Sequence, residues 1–209
     1  MMNPTADNHR KVVLILGWSL LIMTLTGCVE RKDVKIHPTV LPATPLDHKF
    51  PLSAAVVVDR ELKEYGIQHQ MLDGTGIFEM GEHLSLYATN ISRDLFREVT
   101  VYDSLEAAAN KADVILIPKA IRSSVYLANP VRVMICVEWT VKNRSGQKVL
   151  LLASIESEGN KPNQFFDFRP KMWEAFQQMM DELCFKTLKA FRESPEMIQM
   201  RSPQQAILR

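Results

Sequence analysis

The sequence predicts an α+β domain: a single mixed or antiparallel sheet of four to five strands, with two long helices packed on one face. Two segments repeat apolar residues at steps of three and four, which is the spacing of one helix face. Short apolar or alternating runs typical of strands lie around them. Because each helix has one apolar stripe to cover, a shared sheet face satisfies both, and the other face can remain in water.

The first part of the domain is predicted to be a strand, a turn and a helix. The run Ala54 to Asp59 (AAVVVD) predicts a buried strand, whereas residues 62–70 fit neither pattern, and residues 73–76 (DGTG) form a turn. A helix is predicted within Gly81 to Val99. Its apolar stripe consists of Leu84, Ala88, Ile91, Leu95 and Val99.

The middle of the chain is predicted to hold two strands around a short helix. Thr100 to Tyr102 continues Val99 as a strand, and Asp103 with Glu106 frames a capping box for a helix over Leu105 to Lys111. Residues 114–117 (VILI) then predict a buried strand that extends towards Tyr126.

The last part predicts a hairpin, a loop and a long helix. Residues 131–142 alternate apolar and polar side chains, residues 143–146 (NRSG) supply a turn, and residues 149–156 form the return strand. A loop over 159–170 precedes a helix that ends near Ser194-Pro195. The helix face consists of Met172, Phe176, Met179, Leu183, Thr187 and Phe191.

The N-terminus carries the pattern of a secretory signal. His9, Arg10 and Lys11 precede the apolar run of residues 12–25 (VVLILGWSLLIMTL), which is shorter than the roughly 20 residues of a membrane span.

Leu25-Thr26-Gly27-Cys28 then resembles the bacterial lipobox. Small residues at 26 and 27 let a peptidase reach the bond before Cys28, whose sulfur accepts diacylglycerol and whose freed α-amine can be acylated. The alternative is an uncleaved anchor helix with an incidental cysteine.

These features predict four segments. Residues 1–27 are a signal peptide, 28–52 a lipidated cysteine and extended tether, 53–193 the globular domain, and 194–209 a polar C-terminal tail. The tether contains four prolines and few large apolar residues, so it is expected to remain extended, with a reach on the order of 70 Å. By resemblance to enterobacterial sorting, Val29 after the cysteine favours the outer membrane, on its periplasmic side, although the inner membrane stays open.

Charge and cysteine content exclude some classes of function. The formal net charge of +1 predicts no attraction to nucleic acid. If Cys28 carries lipid, Cys136 and Cys184 remain, and they can be either a disulfide or two buried thiols.

Signals for catalysis and cofactors are sparse. Glu79 and His83 lie four apart at a helix start, but a zinc site needs a further ligand and HExxH is absent. Gly74-x-Gly76 lacks the third glycine of a dinucleotide-binding loop. We therefore expect no enzyme, metal, cofactor or small-molecule substrate.

Three features are candidates for contact with a partner. The cluster Phe165, Phe166 and Phe168 is either folded on the core or a partner anchor. Met179-Met180 is interpreted as core packing. The polar face of residues 131–142 is either solvated or an edge or open face for strand addition.

Several strings together carry a resemblance to small periplasmic α/β lipoproteins. They are the lipobox, AAVVVD, VTVYDSLEAA, ADVILIP and VEWTVKNRSGQKV. The group includes the lipopolysaccharide-assembly lipoprotein, the amino-terminal domain of the Tol-system propeller protein, the penicillin-binding-protein activator lipoproteins and auxiliary lipoproteins of transport systems. The resemblance covers roughly residues 53–192 and implies no catalytic residues.

The expected function is that of a lipid-anchored, non-catalytic accessory in envelope assembly or transport. It would act by contact with a larger envelope protein. The alternatives are a structural lipoprotein that binds peptidoglycan or a surface appendage, and a lipid-anchored envelope hydrolase.

Overall fold

The structure is a computed structural model that describes residues 30–41, 44–71, 74–162 and 168–200. The strands are Glu30–Asp33 (β1), Phe50–Val57 (β2), Gly66–Met71 (β3), Gly74–Glu79 (β4), Phe96–Tyr102 (β5), Val114–Leu127 (β6), Val131–Asn143 (β7) and Val149–Lys161 (β8). The helices are Arg60–Lys63 (α1), Gly81–Leu95 (α2), Leu105–Ala108 (α3), Phe168–Glu193 (α4) and Pro195–Met200 (α5), with a 3-10 turn at Leu46–His48.

The prediction of a single sheet with two long helices on one face is wrong, because the described strands form two sheets. A five-stranded sheet has the order β5-β2-β6-β7-β8, and a three-stranded sheet has the order β1-β4-β3. In the large sheet β5, β2 and β6 are parallel, whereas β6, β7 and β8 are antiparallel. In the small sheet β1 runs parallel to β4 and β3 runs antiparallel to it.

The small sheet could not be predicted from the sequence, for a physical reason. Its strands are four to six residues long, which is too short for an alternation to stand out. β1 also lies in the segment predicted as a tether, and β4 (GTGIFE) contains the two glycines predicted as a turn. Strand formation there depends on pairing with distant residues, which local propensity does not report.

The main hydrophobic core joins the five-stranded sheet with α2 and α4. The apolar face predicted for residues 131–142 is confirmed, since all of its members have 0 % exposure. They are Val131, Val133, Ile135, Val137, Trp139 and Val141. Leu84, Ala88, Ile91 and Leu95 of α2 pack in the same cluster, together with Phe176, Met179 and Leu183 of α4.

A second, smaller core lies on the opposite face of the large sheet. Ala55 and Val57 of β2 and Ile115 of β6 are buried there against Ala108 of α3 and Ala112. Ser104 caps α3 by accepting a hydrogen bond from the Ala107 N–H at 3.2 Å. Part of this face is therefore covered by protein.

The predicted turn between β7 and β8 is confirmed and centres on one asparagine. The Gly146 N–H donates to the Asn143 carbonyl at 2.8 Å, and Gly146 has a φ of +74°, which favours glycine. The Asn143 side-chain oxygen accepts hydrogen bonds from the N–H groups of Gln147 and Lys148, each at 3.1 Å.

A chain of hydrogen bonds crosses the main core. The Trp139 Nε1–H donates to the Tyr87 hydroxyl at 3.0 Å. The Thr187 hydroxyl has its single proton directed to the Leu183 carbonyl at 2.7 Å, so the Tyr87 hydroxyl donates to Thr187 at 2.6 Å. Burial raises the pKa of Tyr87. Each donor in the chain is thereby satisfied out of contact with water.

We expect Tyr87→Phe to lower the free energy of unfolding by about 1–3 kcal/mol, because the buried Trp139 N–H loses its acceptor. Urea denaturation followed by tryptophan fluorescence measures this loss. The matched control is Tyr65→Phe, since the Tyr65 hydroxyl donates to Ser123 at 2.6 Å in a half-buried position. An equal or larger loss in the Tyr65 variant would contradict the importance of the buried chain.

The two cysteines of the domain are free thiols and both are buried. The Cys136 sulfur lies 3.1 Å from the Ser154 hydroxyl, on the face of the sheet opposite the main core. Cys184 packs in the main core, where burial raises its pKa to about 11. Of the two alternatives for Cys136 and Cys184, the structure therefore has two buried thiols and not a disulfide.

Residues 30–41 lie along the domain. β1 completes the small sheet, and the Val34 carbonyl accepts a hydrogen bond from His83 Nε2 at 2.8 Å. The His37 N–H donates to the Gln177 side-chain oxygen at 2.8 Å, while the Gln177 Nε2 donates to the His37 carbonyl at 3.1 Å. This part of the predicted tether thus contacts α2 and α4.

Residues 195–200 of the predicted polar tail form α5. Its Met197 has 0 % exposure and belongs to the main core. The Ser194 hydroxyl accepts a hydrogen bond from the Met197 N–H at 3.3 Å.

Candidate functional site

The lipobox and two of the three phenylalanines that the sequence singles out lie outside the described residues. The lipobox residues Leu25, Thr26, Gly27 and Cys28 precede Glu30, where the description begins. Phe165 and Phe166 fall in the undescribed interval between Pro162 and Phe168, and Phe168 is the first residue of α4. The lipid attachment and the aromatic cluster therefore stay predictions.

The start of β1 lies beside one end of the long strands. Glu30 is opposite Gly76 in β4, and Gly76 is opposite His69 in β3. The His69 ring nitrogen Nδ1 lies 3.2 Å from the carbonyl of Val125, near the carboxyl end of β6. β1 thus begins near that end of β6.

Two ends of the domain can now be defined. The anchor end comprises Glu30, the β6–β7 connection (128–130) and Lys161, because Leu127 pairs with Val131 and Val131 pairs with Lys161. The far end is the β7–β8 turn, residues 144–148. β7 and β8 each have 13 residues, so the two ends are about 40 Å apart.

A polar cleft of about 950 Å³ lies between β1, α1 and the start of α2, and Glu79 and His83 both line it. They have different partners: Glu79 pairs with Arg31 at 3.3 Å, and His83 donates to the Val34 carbonyl. Within the described part of the chain, no three His, Cys, Asp or Glu side chains are grouped so as to hold a metal ion. The cleft has side chains of both charge signs.

A second cleft, of about 680 Å³, lies at the anchor end. Its floor is apolar and is formed by Phe78, Leu127, Met172 and Trp173, whereas Lys32, Lys35, Arg169 and Asp33 form its rim. The Phe78 and Trp173 rings pack edge to face at 6.4 Å. We call it the cationic cleft, since three of the four charged groups on its rim are positive.

The interpretation of residues 131–142 as an edge is wrong. β7 is an inner strand, paired with β6 on one side and β8 on the other. On its polar face Arg132 lies 3.9 Å from Glu158 of β8. Both members of Met179-Met180 are buried, which confirms their interpretation as core packing.

β8 is an edge strand, and side chains of α4 occupy its carboxyl-terminal part. The Glu158 N–H donates to the Glu182 carboxylate at 2.7 Å, and the Asn160 N–H donates to the Gln178 side-chain oxygen at 3.3 Å. The Lys186 ammonium donates to the Glu156 carbonyl at 2.9 Å. These three contacts satisfy backbone groups that point away from β7.

The charge of Glu182 supports this arrangement. Burial disfavours its ionised form, but the Glu158 N–H and the Lys186 ammonium stabilise that form, and the net result is a pKa below the usual value. Lys186 and Glu182 also form an ion pair at 2.9 Å.

The amino-terminal part of β8, Val149–Ser154 (VLLLAS), differs in its charge and in the partners of its outward backbone groups, and we call it the free edge. It contains no charged residue. Val149 and Leu152 are 51 % and 60 % exposed. Alternation along β8 directs the backbone groups of Leu152 and Ser154 the same way as those of Glu156 and Glu158. Among the described residues, none donates to or accepts from these outward groups.

The opposite edge of the sheet is protected in the usual way. β5 carries the exposed charged residues Arg97 and Glu98, and charges on an edge strand oppose pairing with another chain. The free edge of β8 lacks this protection.

No protein-family model matches the chain, and no curated protein matches it either. Solved structures with a similar chain path include a Xanthomonas campestris protein of the DUF330 family. It has 15 % identity and a TM-score of 0.47, and the match covers 77 % of this chain and 95 % of that one.

A minor lipoprotein from Acinetobacter baumannii has 10 % identity and a TM-score of 0.41, with coverage of 71 % and 93 % of the two chains. Lipoprotein GNA1162 from Neisseria meningitidis has 12 % identity and a TM-score of 0.35, with coverage of 55 % and 87 %. None of the described helices is long and apolar enough to span a membrane.

Proposed function

We propose that the protein is a lipid-anchored bacterial envelope lipoprotein that acts without catalysis, as an assembly or transport accessory that binds a larger envelope protein at the free edge of β8. The difference between the two parts of β8 is the observation that supports this contact. Side chains of α4 occupy the edge at residues 156–160, whereas the outward backbone groups of Leu152 and Ser154, in the uncharged segment Val149–Ser154, have no hydrogen-bond partner among the described residues.

The chemistry of the free edge specifies its partner. Unpaired N–H and C=O groups on an edge strand are a template for one further strand. Because Val149 and Leu152 are exposed and no charge lies nearby in the segment, the matching partner is an extended segment with apolar, uncharged side chains. Main-chain hydrogen bonds would supply affinity, and the side chains would supply register.

The proposed anchor supports the same function. Lipid on Cys28 confines the domain to a membrane surface, by the sequence pattern the periplasmic side of the outer membrane. This confinement raises its effective concentration towards any partner in the same membrane. A modest contact area is then sufficient for a stable complex.

The test is co-purification from detergent-solubilised membranes. We expect Leu152→Lys to reduce recovery of the partner by about tenfold or more, which corresponds to about 1.4 kcal/mol of binding free energy. A lysine on an edge strand opposes pairing. The matched control is Val40→Lys, which adds the same charge at a residue that is 89 % exposed in the N-terminal segment.

A second variant changes the backbone at Ser154 and also removes its hydroxyl, which lies 3.1 Å from the Cys136 sulfur; Ser154→Ala loses the same hydroxyl and is its matched control. Ser154→Pro removes one outward N–H without removing a hydrogen bond to β7, and we expect the same loss of partner. Unchanged recovery with both edge variants would contradict the proposal. Retention on purified peptidoglycan with equal affinity for wild type and both variants would instead support the structural alternative.

A further inference from the structure

We propose that the anchor end of the domain rests directly on the lipid surface, and that the cationic cleft holds the headgroup of an anionic phospholipid. This inference depends on the proposed lipidation of Cys28. It adds an orientation and a second lipid contact to that function.

The chain between the proposed lipid on Cys28 and the first strand of the fold is short. Glu30 is already paired in the small sheet, opposite Gly76 of β4. Cys28 precedes it by two residues, which span at most about 7 Å. A leash of the length predicted for residues 28–52 is therefore absent at its membrane-proximal end.

Glu30 lies at the anchor end of the domain. It lies at the end of the molecule that carries the β6–β7 connection, and the β7–β8 turn lies about 40 Å away along the strands. A membrane within about 7 Å of Glu30 thus faces the anchor end. The free edge begins at Val149, next to the far end, and points into the aqueous space where a partner can reach it.

The cationic cleft has the chemistry that binds an anionic phospholipid headgroup. Among the described residues, its rim carries Lys32, Lys35 and Arg169 together with the carboxylate of Asp33, above an apolar floor. Cationic side chains around an apolar floor match a phosphate ester that continues into an acyl chain. The aromatic Trp173 on that floor is of the type enriched at the membrane interface.

The cleft is also within reach of the bilayer. Lys32 follows Cys28 by four residues, at most about 14 Å along the chain. An anionic phospholipid next to the anchored acyl chains can therefore enter the cleft while its own chains remain in the bilayer.

The experiment uses the full chain, expressed in a bacterium that processes lipoproteins, extracted in detergent and reconstituted into vesicles. Single cysteines for a fluorophore are placed at Ala128→Cys, at the anchor end, or at Gln147→Cys, at the far end. Native Cys136 and Cys184 are buried. Quenching by a headgroup-attached quencher lipid should be strong at residue 128 and weak at residue 147.

Charge reversal tests the cleft. With Lys35→Glu and Arg169→Glu combined, we expect quenching at residue 128 to fall at least twofold on vesicles containing phosphatidylglycerol, and to stay unchanged on phosphatidylcholine. The matched control is Lys148→Glu at the far end, which should change neither. Wild-type quenching in the double variant would overturn the headgroup site.

The outcomes separate this inference from the proposed function. Equal quenching at both labels, or stronger quenching at residue 147, in a protein that carries fatty acid overturns the orientation and leaves the anchor intact. Absence of fatty acid and of vesicle binding overturns the anchor itself, and the orientation with it.

Discussion

Gly159→Ala should lower the free energy of unfolding by about 3 kcal/mol or more, a large loss for a single added methyl group. A Cβ at this position of β8 would lie 1.7 Å from the carbonyl oxygen of Ala175 and 2.6 Å from its carbonyl carbon. Both are backbone atoms of α4, so no side-chain rotation can make room. β8 and α4 would have to separate, and Glu182 and Gln178 would lose their hydrogen bonds to β8.

Urea denaturation measures the loss, and Gly66→Ala is the matched control. A Cβ on Gly66 would meet the Cγ2 methyl of Ile77 at 2.5 Å, which is a side-chain atom of a half-buried residue. Local adjustment of Ile77 relieves that contact, so we expect a smaller loss. A Gly159 variant as stable as wild type would contradict the direct packing of α4 on the backbone of β8.

Cys28→Ser should abolish fatty-acid labelling, leave the precursor uncleaved and remove the mature protein from the membrane fraction. A serine hydroxyl is a much weaker nucleophile than a cysteine sulfur, so it does not accept diacylglycerol. Metabolic labelling with palmitate, followed by electrophoresis, measures both the lipid and the size of the product.

The matched control is Cys136→Ser, which alters a buried thiol of the folded domain and should leave labelling unchanged. Labelling of the Cys28 variant at the wild-type level would refute the lipobox interpretation. Loss of labelling in both variants would show an effect of folding and not of the acceptor residue.

Hydrophobic periodicity in the sequence correctly predicted β7 and α2, and turn residues correctly predicted the turn after β7. The alternation over residues 131–142 identified β7 and its buried face, because one face of that strand is covered along its whole length. The apolar stripe from Leu84 to Leu95 identified α2. The turn at 143–146 was readable because Gly146 supplies the positive φ that the turn requires.

The small sheet and the edge could not be predicted in the same way. β1 and β4 are paired across more than 40 residues, and strand order decides which strand is an edge. The occupation of β8 by Glu182 and Gln178 also joins residues far apart in the chain. The uncharged string VLLLAS after the turn was a usable signal, but it becomes informative only when β8 is known to be outermost.

The two proposals place the functional surfaces at opposite ends of the domain. In these proposals, acyl chains at the anchor end would hold the domain on the membrane, and the free edge starts beside the far end. α4 spans the distance between the two ends, and its side chains hydrogen-bond to the backbone of β8 at residues 156–160. A partner strand would therefore pair with residues 149–154, away from the lipid surface.

The most direct test of this account is the intact mass of the protein purified from bacterial membranes. The account predicts a chain that begins at Cys28, with the mass of residues 28–209 increased by diacylglycerol and an amide-linked acyl chain. A mass equal to the unmodified chain beginning at Met1 would contradict it.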